Sequence, residues 1–202
     1  MKTSFALLTL LALATTGCED NLASVQIQAV CAPPDTCTFS GACDAQYISW
    51  PTLDLTASAT DALTLYLQVE NQLPDNGDVE LGRVNTNDAH VDETIVEYDG
   101  VPLGKVIMGS NFHVPAASTA VVKVQPIVGG PATSTALAPF AGGEIVANLR
   151  FGGYYDDGTR FETGEFPITV RICAGCLGTA CAGGPTCPPN SEGQAPLTCM
   201  TP

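Results

Sequence analysis

Nine cysteines are the residues of this 202-residue chain with the most chemistry to offer. Cys18 stands alone near the start. Cys31, Cys37 and Cys43 share one Pro-containing stretch, and Cys173, Cys176, Cys181, Cys187 and Cys199 crowd the end. Thiols at such spacing suit structural disulfides, a dithiol redox pair at Cys173-x-x-Cys176, or zinc held by Cys173, Cys176 and two later cysteines. A redox pair of the thioredoxin kind needs its cysteines at the start of a helix beside a parallel sheet, whereas Cys173 follows a strand-like run into a Gly-rich tail. No histidine lies near enough in sequence to complete a zinc set, and oxidation competes with metal outside the cytoplasm. Disulfides are the expected state. With Cys18 set aside, three cysteines precede a long Cys-free body and five follow it. Both counts are odd. If all of them pair within the chain, at least one bond must join the N-terminal Cys-loop to the C-terminal tail, closing a loop of roughly 130 residues or more. Which cysteine pairs with which stays open.

Two other constellations carry potential chemistry. Nine carboxylates lie between Glu70 and Asp99. Among them Asp75, Asp78, Asp88 and Asp92, beside the amides of Asn76, Asn85 and Asn87, are hard oxygen ligands of the kind calcium accepts. Their order does not follow the EF-hand loop, and solvated turns carry such residues without any ion. The two histidines, His90 and His113, are the only candidates for general-base work, with Ser110 three residues before the second. Neither G-x-S-x-G nor H-E-x-x-H occurs, so no catalytic residue is assigned.

Whether the thiols are oxidised depends on the compartment, and residues 1–20, MKTSFALLTLLALATTGCED, bear on it. Lys2 supplies a positive n-region, and residues 5–14 form an apolar run broken only by Thr9. Ten helical residues reach about 15 Å, half a bilayer core, too short to span. Gly17-Cys18 is similar to the end of a bacterial lipobox, with Thr15 where that motif carries Leu and Thr16 where Ala or Ser is common. Ala12-Leu13-Ala14 offers a rival site for ordinary signal cleavage. Cleavage there would leave a very short apolar run and an odd ninth thiol, so residues 1–17 are assigned as a lipoprotein signal peptide and Cys18 as its lipid attachment site. Two or more acyl chains (palmitate among them) hold a protein on a membrane stably.

Composition agrees with an exported β protein. Glycine and proline are abundant, 20 and 15 residues, which suits strands and turns more than helices. A formal net charge of −14 argues against nucleic acid as a partner and against an unaided dock to anionic lipid. Residues 18–23 are read as an acylated tether. Alternation of Val25, Ile27 and Ala29 with polar neighbours predicts a strand over 24–30, and two prolines within the Cys-loop 31–43 forbid a central strand there. Leu65, Leu67 and Val69 predict a core strand over 64–69. Residues 74–78 (PDNGD) are a turn signal. The 91–98 segment alternates ambiguously and is expected at an edge or on a wet face. Strands are expected over 105–108 and 119–127, and a hairpin over 144–154 and 159–172 about Asp156-Asp157-Gly158. Pro167 puts its second arm at an edge or a bulge. Trp50 is expected to pack on the core. No stretch has sustained helical periodicity.

The last expected strand and the tail carry a resemblance. Phe166-Pro-Ile-Thr-Val-Arg-Ile-Cys173-Ala-Gly-Cys176-Leu177, followed by Cys187, Gly193-Gln194 and Cys199, resembles uncharacterised Cys-rich lipoproteins of myxobacterial type. The likeness supports an address and a fold, and implies no activity.

The expectation is an all-β chain: an antiparallel β-sandwich of about seven to nine strands, Ig-like in architecture, over 24–172, with a disulfide-rich tail at 173–202 linked to the Cys-loop. The expected role is structural or binding, on the cell membrane or outer membrane, with a lipid anchor and an envelope protein or glycan as partner. A calcium-dependent adhesin or ligand-binding module is the first alternative and an envelope hydrolase the second.

Overall fold

The structure, a computed structural model, describes residues 24–32, 43, 47–56 and 62–176. Residues 1–23, and with them Cys18, lie outside the described residues, as do Cys37, Cys181, Cys187 and Cys199. Among the described residues the fold is two β-sheets and little else. β1 (Val25–Cys31), β3 (Leu63–Asn71) and β6 (Ser118–Ile127) form one, in the order β1-β3-β6. The second contains β2 (Thr52–Asp54), β4 (Ala89–Asp99), β5 (Val106–Val114), β7 (Glu144–Tyr155) and β9 (Phe166–Cys173), ordered β2-β9-β7-β4-β5. β8 (Arg160–Glu162) also pairs with β7. The expected all-antiparallel pairing needs one correction. β2 runs parallel to β9, with Thr52 opposite Arg171, so the second sheet is mixed.

Both sheets turn their apolar faces to one cluster. Leu65, Leu67 and Val69 of β3 share it with Val96 of β4, Leu149 and Phe151 of β7, and Ile172 of β9. Each fully buried Leu or Phe contributes about 1.5–3 kcal/mol of transfer free energy, so this cluster dominates the cohesion of the sheets. Tyr98 adds a polar tie, its hydroxyl donating to the Pro126 carbonyl; burial pushes its phenol up to about 12.

Several strand expectations shift for identifiable reasons. In β1 the register breaks between Ile27 and Ala29, so Val30 rather than Ala29 joins the core. A second break, between Val91 and Glu93, explains why 91–98 alternated ambiguously. Ala89 and Val91 point inward before it; Thr94 and Val96 do so after it. β4 is therefore not an edge but an interior strand of its sheet, paired with β5 and β7. Its outward Glu97 is matched by Arg150 at 2.6 Å and Lys105 at 3.0 Å. β5 runs past Met108 to Val114. The second hairpin arm divides at 163–165 into β8 and β9, and Pro167 sits where β9 has only β7 beside it, since β2 reaches only 171–173. Trp50 is corrected too: it is 54% exposed, with the Arg171 guanidinium 4.9 Å from its ring centroid. Among the described residues the one α-helix, α1 (Pro131–Leu137), has no sequence signal, because seven residues with one buried side chain are too few to show a period.

The strands give the molecule two ends. Val25, Asn71 and Ser118 in one sheet and Ala89, Val114 and Tyr155 in the other mark the first. Cys31, Leu63 and Ile127, with Asp99, Glu144 and Cys173, mark the second.

Candidate functional site

Three connections meet at the first end: 72–88, 115–117 and 156–159. Asp88 binds them together. Its Oδ1 accepts from the Ala116 amide at 2.8 Å and from the Asn85 side chain, its Oδ2 bonds His113 Nε2 at 3.2 Å, and its carbonyl accepts from the Asp156 amide at 3.1 Å. The Ala116 amide, and after it the imidazole of His113, hold the Asp88 carboxyl below its usual range against the opposing effect of desolvation. Asn71, buried at the end of β3, supplies the second tie. Its Nδ2 donates to the carbonyls of Asn87 (2.8 Å) and Val114 (3.1 Å), and its Oδ1 accepts from the Leu73 amide.

Beside this knot lies a row of side chains on the outer face of the second sheet. Pairing sets His113 of β5 opposite His90 of β4, His90 opposite Tyr154 of β7, and Tyr154 opposite Arg160 of β8. The His90 ring stacks on Tyr154 (5.2 Å between centroids, 17° between planes) and lies 5.0 Å from that of His113. His90 Nε2 meets Asp156 Oδ1 at 2.6 Å. Arg160 is tied to Asp92 at 2.5 Å. The row depends on Gly153: a Cβ there would lie 2.2 Å from the His90 carbonyl oxygen and 3.0 Å from Val91 Cα, which only backbone movement could relieve.

The carboxylates considered as calcium ligands do not converge. Asp75 caps the Gly77 amide, Asp78 caps Glu80 and Leu81, Asp88 is the knot, and Asp92 pairs with Arg160. Among the described residues, the group whose ligand atoms come within 4.8 Å of one another is instead Asp54, Cys173 and Cys176. Cys173 and Cys176 are joined as a disulfide, so neither offers a thiolate, and Asp54 Oδ1 accepts from the Gly175 and Thr56 amides and the Thr56 hydroxyl. Ser110 and His113 lie on opposite faces of β5. Ser110 bonds Thr94 at 2.5 Å, beside an open groove of about 550 Å³ between β5 and β6, while His113 faces outward.

Cys31 and Cys43 form the other disulfide among the described residues. Paired thiols fit an oxidising, extracytoplasmic setting. Among the described residues no helix is long and apolar enough to cross a membrane. Sequence reasoning found both histidines and the 156–158 turn, but not Asn71 or Tyr154. Asn71 closes a strand of apolar residues, and a polar residue at a strand end is the one signal that pointed to it.

No family model matches the chain, and no curated protein matches it. The X-ray structure of Northeast Structural Genomics Consortium target SoR45 aligns with 58% of this chain and 76% of its own, at 11% identity and a TM-score of 0.33.

Proposed function

We propose that this chain is an exported lipoprotein, anchored through Cys18, whose β domain serves as a structural or binding module at the cell envelope. The observation that carries the reading is the disulfide pair Cys31–Cys43 and Cys173–Cys176, in a chain whose first twenty residues have the form of an export signal ending at a cysteine. An Ig-like sandwich is the architecture proposed for the domain. The strand orders β1-β3-β6 and β2-β9-β7-β4-β5 support it: they correspond to A-B-E on one sheet and A′-G-F-C-C′ on the other, without a strand D. In that correspondence the connections 72–88 and 156–159 are the B–C and F–G loops, which in such domains serve recognition. Function by fold alone is analogy, and the exposed ring row beside those loops is what gives it a location.

Intact mass of the membrane-extracted protein, with and without reduction and alkylation, tests the proposal. Acyl chains on Cys18, with eight alkylatable thiols appearing only on reduction, are expected. An N-terminus at Thr15, or free thiols before reduction, would overturn it. In parallel, Cys18→Ala should move the protein from the membrane to the soluble fraction.

A further inference from the structure

We propose that the tip of the 72–88 connection is a membrane-contacting element, its aliphatic side chains entering the same bilayer that holds Cys18. The inference rests on the lipoprotein reading above. Val79, Leu81 and Val84 are 98%, 66% and 80% exposed, an unusual density of solvated aliphatics for a domain that places 27 of its described hydrophobic residues in the buried core. Their exposure is enforced. Asp78 and Arg83 exchange two backbone hydrogen bonds, at 3.0 and 2.8 Å, across the turn, and Asp78 Oδ1 accepts from the amides of Glu80 and Leu81. Gly82 takes the positive φ of 67° that closes the turn. Behind the tip, Asn76 bonds Thr86 twice, and Asn87 donates to the Pro74 carbonyl. A turn so held cannot fold its side chains back onto the core. It presents them.

The path of the chain says what they meet. Ser24 begins the described body, and its carbonyl accepts from the amide of Gln72, the first residue of this connection, at 2.8 Å. Ser24 also bonds Tyr155, the last residue of β7. The chain thus enters the domain at the end that carries the tip. Residues 18–24 span at most about 20 Å when extended, so an acylated Cys18 keeps that end beside the bilayer. Charge selects the kind of lipid. Asp75, Asp78 and Glu80 surround the tip against a single Arg83, so anionic headgroups are repelled and contact is driven by apolar burial into a neutral surface.

The acylated full chain, reconstituted in vesicles of phosphatidylcholine and phosphatidylethanolamine with bromine on their acyl chains, tests this. Leu81→Trp is made in a Trp50→Phe background, with Val84→Trp as a second reporter; all three positions are exposed, so the core is untouched. Intact mass is taken on the same samples. The expected result is a blue-shifted indole emission at both positions, quenched at least threefold more by brominated lipid than Trp50 in the unsubstituted protein. An acylated protein whose introduced indoles emit as in water and are not quenched would overturn the docking alone, and would assign the tip to a protein partner instead. An unacylated Cys18 would overturn the anchor and the docking with it.

Discussion

Where β1 and β9 finish, two covalent bonds hold the chain: Cys31–Cys43 closes a twelve-residue separation, and Cys173–Cys176 a separation of three. At the opposite end the described residues include no cysteine. There, three connections are held by side-chain hydrogen bonds radiating from Asp88 and Asn71. The difference teaches how one small domain divides its tasks. A disulfide stabilises mainly by restricting the unfolded chain, and needs neither a particular pH nor low salt. A network of carboxylate, amide and imidazole fixes the native geometry instead, leaves polar and ring side chains exposed, and responds to protonation. The first kind of end is suited to endurance in an oxidising, extracytoplasmic setting, the second to contact.

The comparison would be broken most severely at Cys37. With Cys31, Cys43, Cys173 and Cys176 paired as observed, full pairing of the rest requires Cys37 to join Cys181, Cys187 or Cys199. Such a bond closes a loop of roughly 140 residues or more, and Cys37→Ser should cost about 4–5 kcal/mol, more than loss of either observed disulfide. Peptide mapping without reduction gives the partner, and thermal unfolding the cost. A free Cys37 thiol in the native protein would confine the covalent ties to short loops.

Gly153→Ala strikes the other end with the next largest effect. Its Cβ would press on the His90 carbonyl and Val91 Cα, backbone atoms of the neighbouring strand β4, where no rotamer change gives relief. A loss of about 3 kcal/mol is expected, with weaker His90–Tyr154 stacking visible in the imidazole proton shifts. Wild-type stability in this variant would mean that β4 and β7 lie farther apart than their register indicates.

The cysteine end was far more legible in the sequence than this one. Cysteine spacing and parity speak directly, and Leu65, Leu67 and Val69 announced their strand because one face of β3 is continuous with the core. The carboxylates between 70 and 99 were legible as a cluster but not as a network. Their partners, Ala116, His113 and Arg160, come from another connection and other strands, and no local pattern encodes those meetings. The register break at Asp92 hid the inward phase of β4, while seven residues of α1 fell below any helical period. Trp50 was misjudged because the largest apolar ring is ordinarily core, and the cation that covers it, Arg171, lies far along the chain.

Asp88 sharpens the contrast through pH. Asp88→Ala should cost about 2–3 kcal/mol, leaving the Ala116 amide without its acceptor, and Asp88→Asn, which keeps an oxygen for that amide, about 1. The sign of the pH effect follows from the depressed carboxyl. Its folded value lies below that of an aspartate in the unfolded chain, so its contribution is full above the unfolded value and is lost as pH falls through the folded one. Between about pH 5 and 3 the wild type should therefore lose stability more steeply than Asp88→Asn, in urea titrations at each pH. Parallel acid limbs would remove Asp88 as the pH-sensitive tie of its end.

The smallest effect belongs to the contact between Arg171 and the Trp50 ring near the covalent end. Trp50 precedes Pro51, whose carbonyl accepts from the Arg171 amide at 2.9 Å, so the backbone already sets ring and guanidinium together. At an exposed site a cation over an indole contributes about 0.5–1 kcal/mol. Arg171→Ala should therefore lower stability by no more than that, and by somewhat less if Glu144, freed of its partner at 3.2 Å, gains hydration. Trp50 is the only tryptophan in the chain, so its emission reports the contact without interference. Removing the guanidinium should raise collisional quenching by acrylamide while the unfolding midpoint barely moves. A large stability loss would instead mean that Arg171 holds β2 against β9, and that the covalent end, like the other, leans on charged side chains for its geometry.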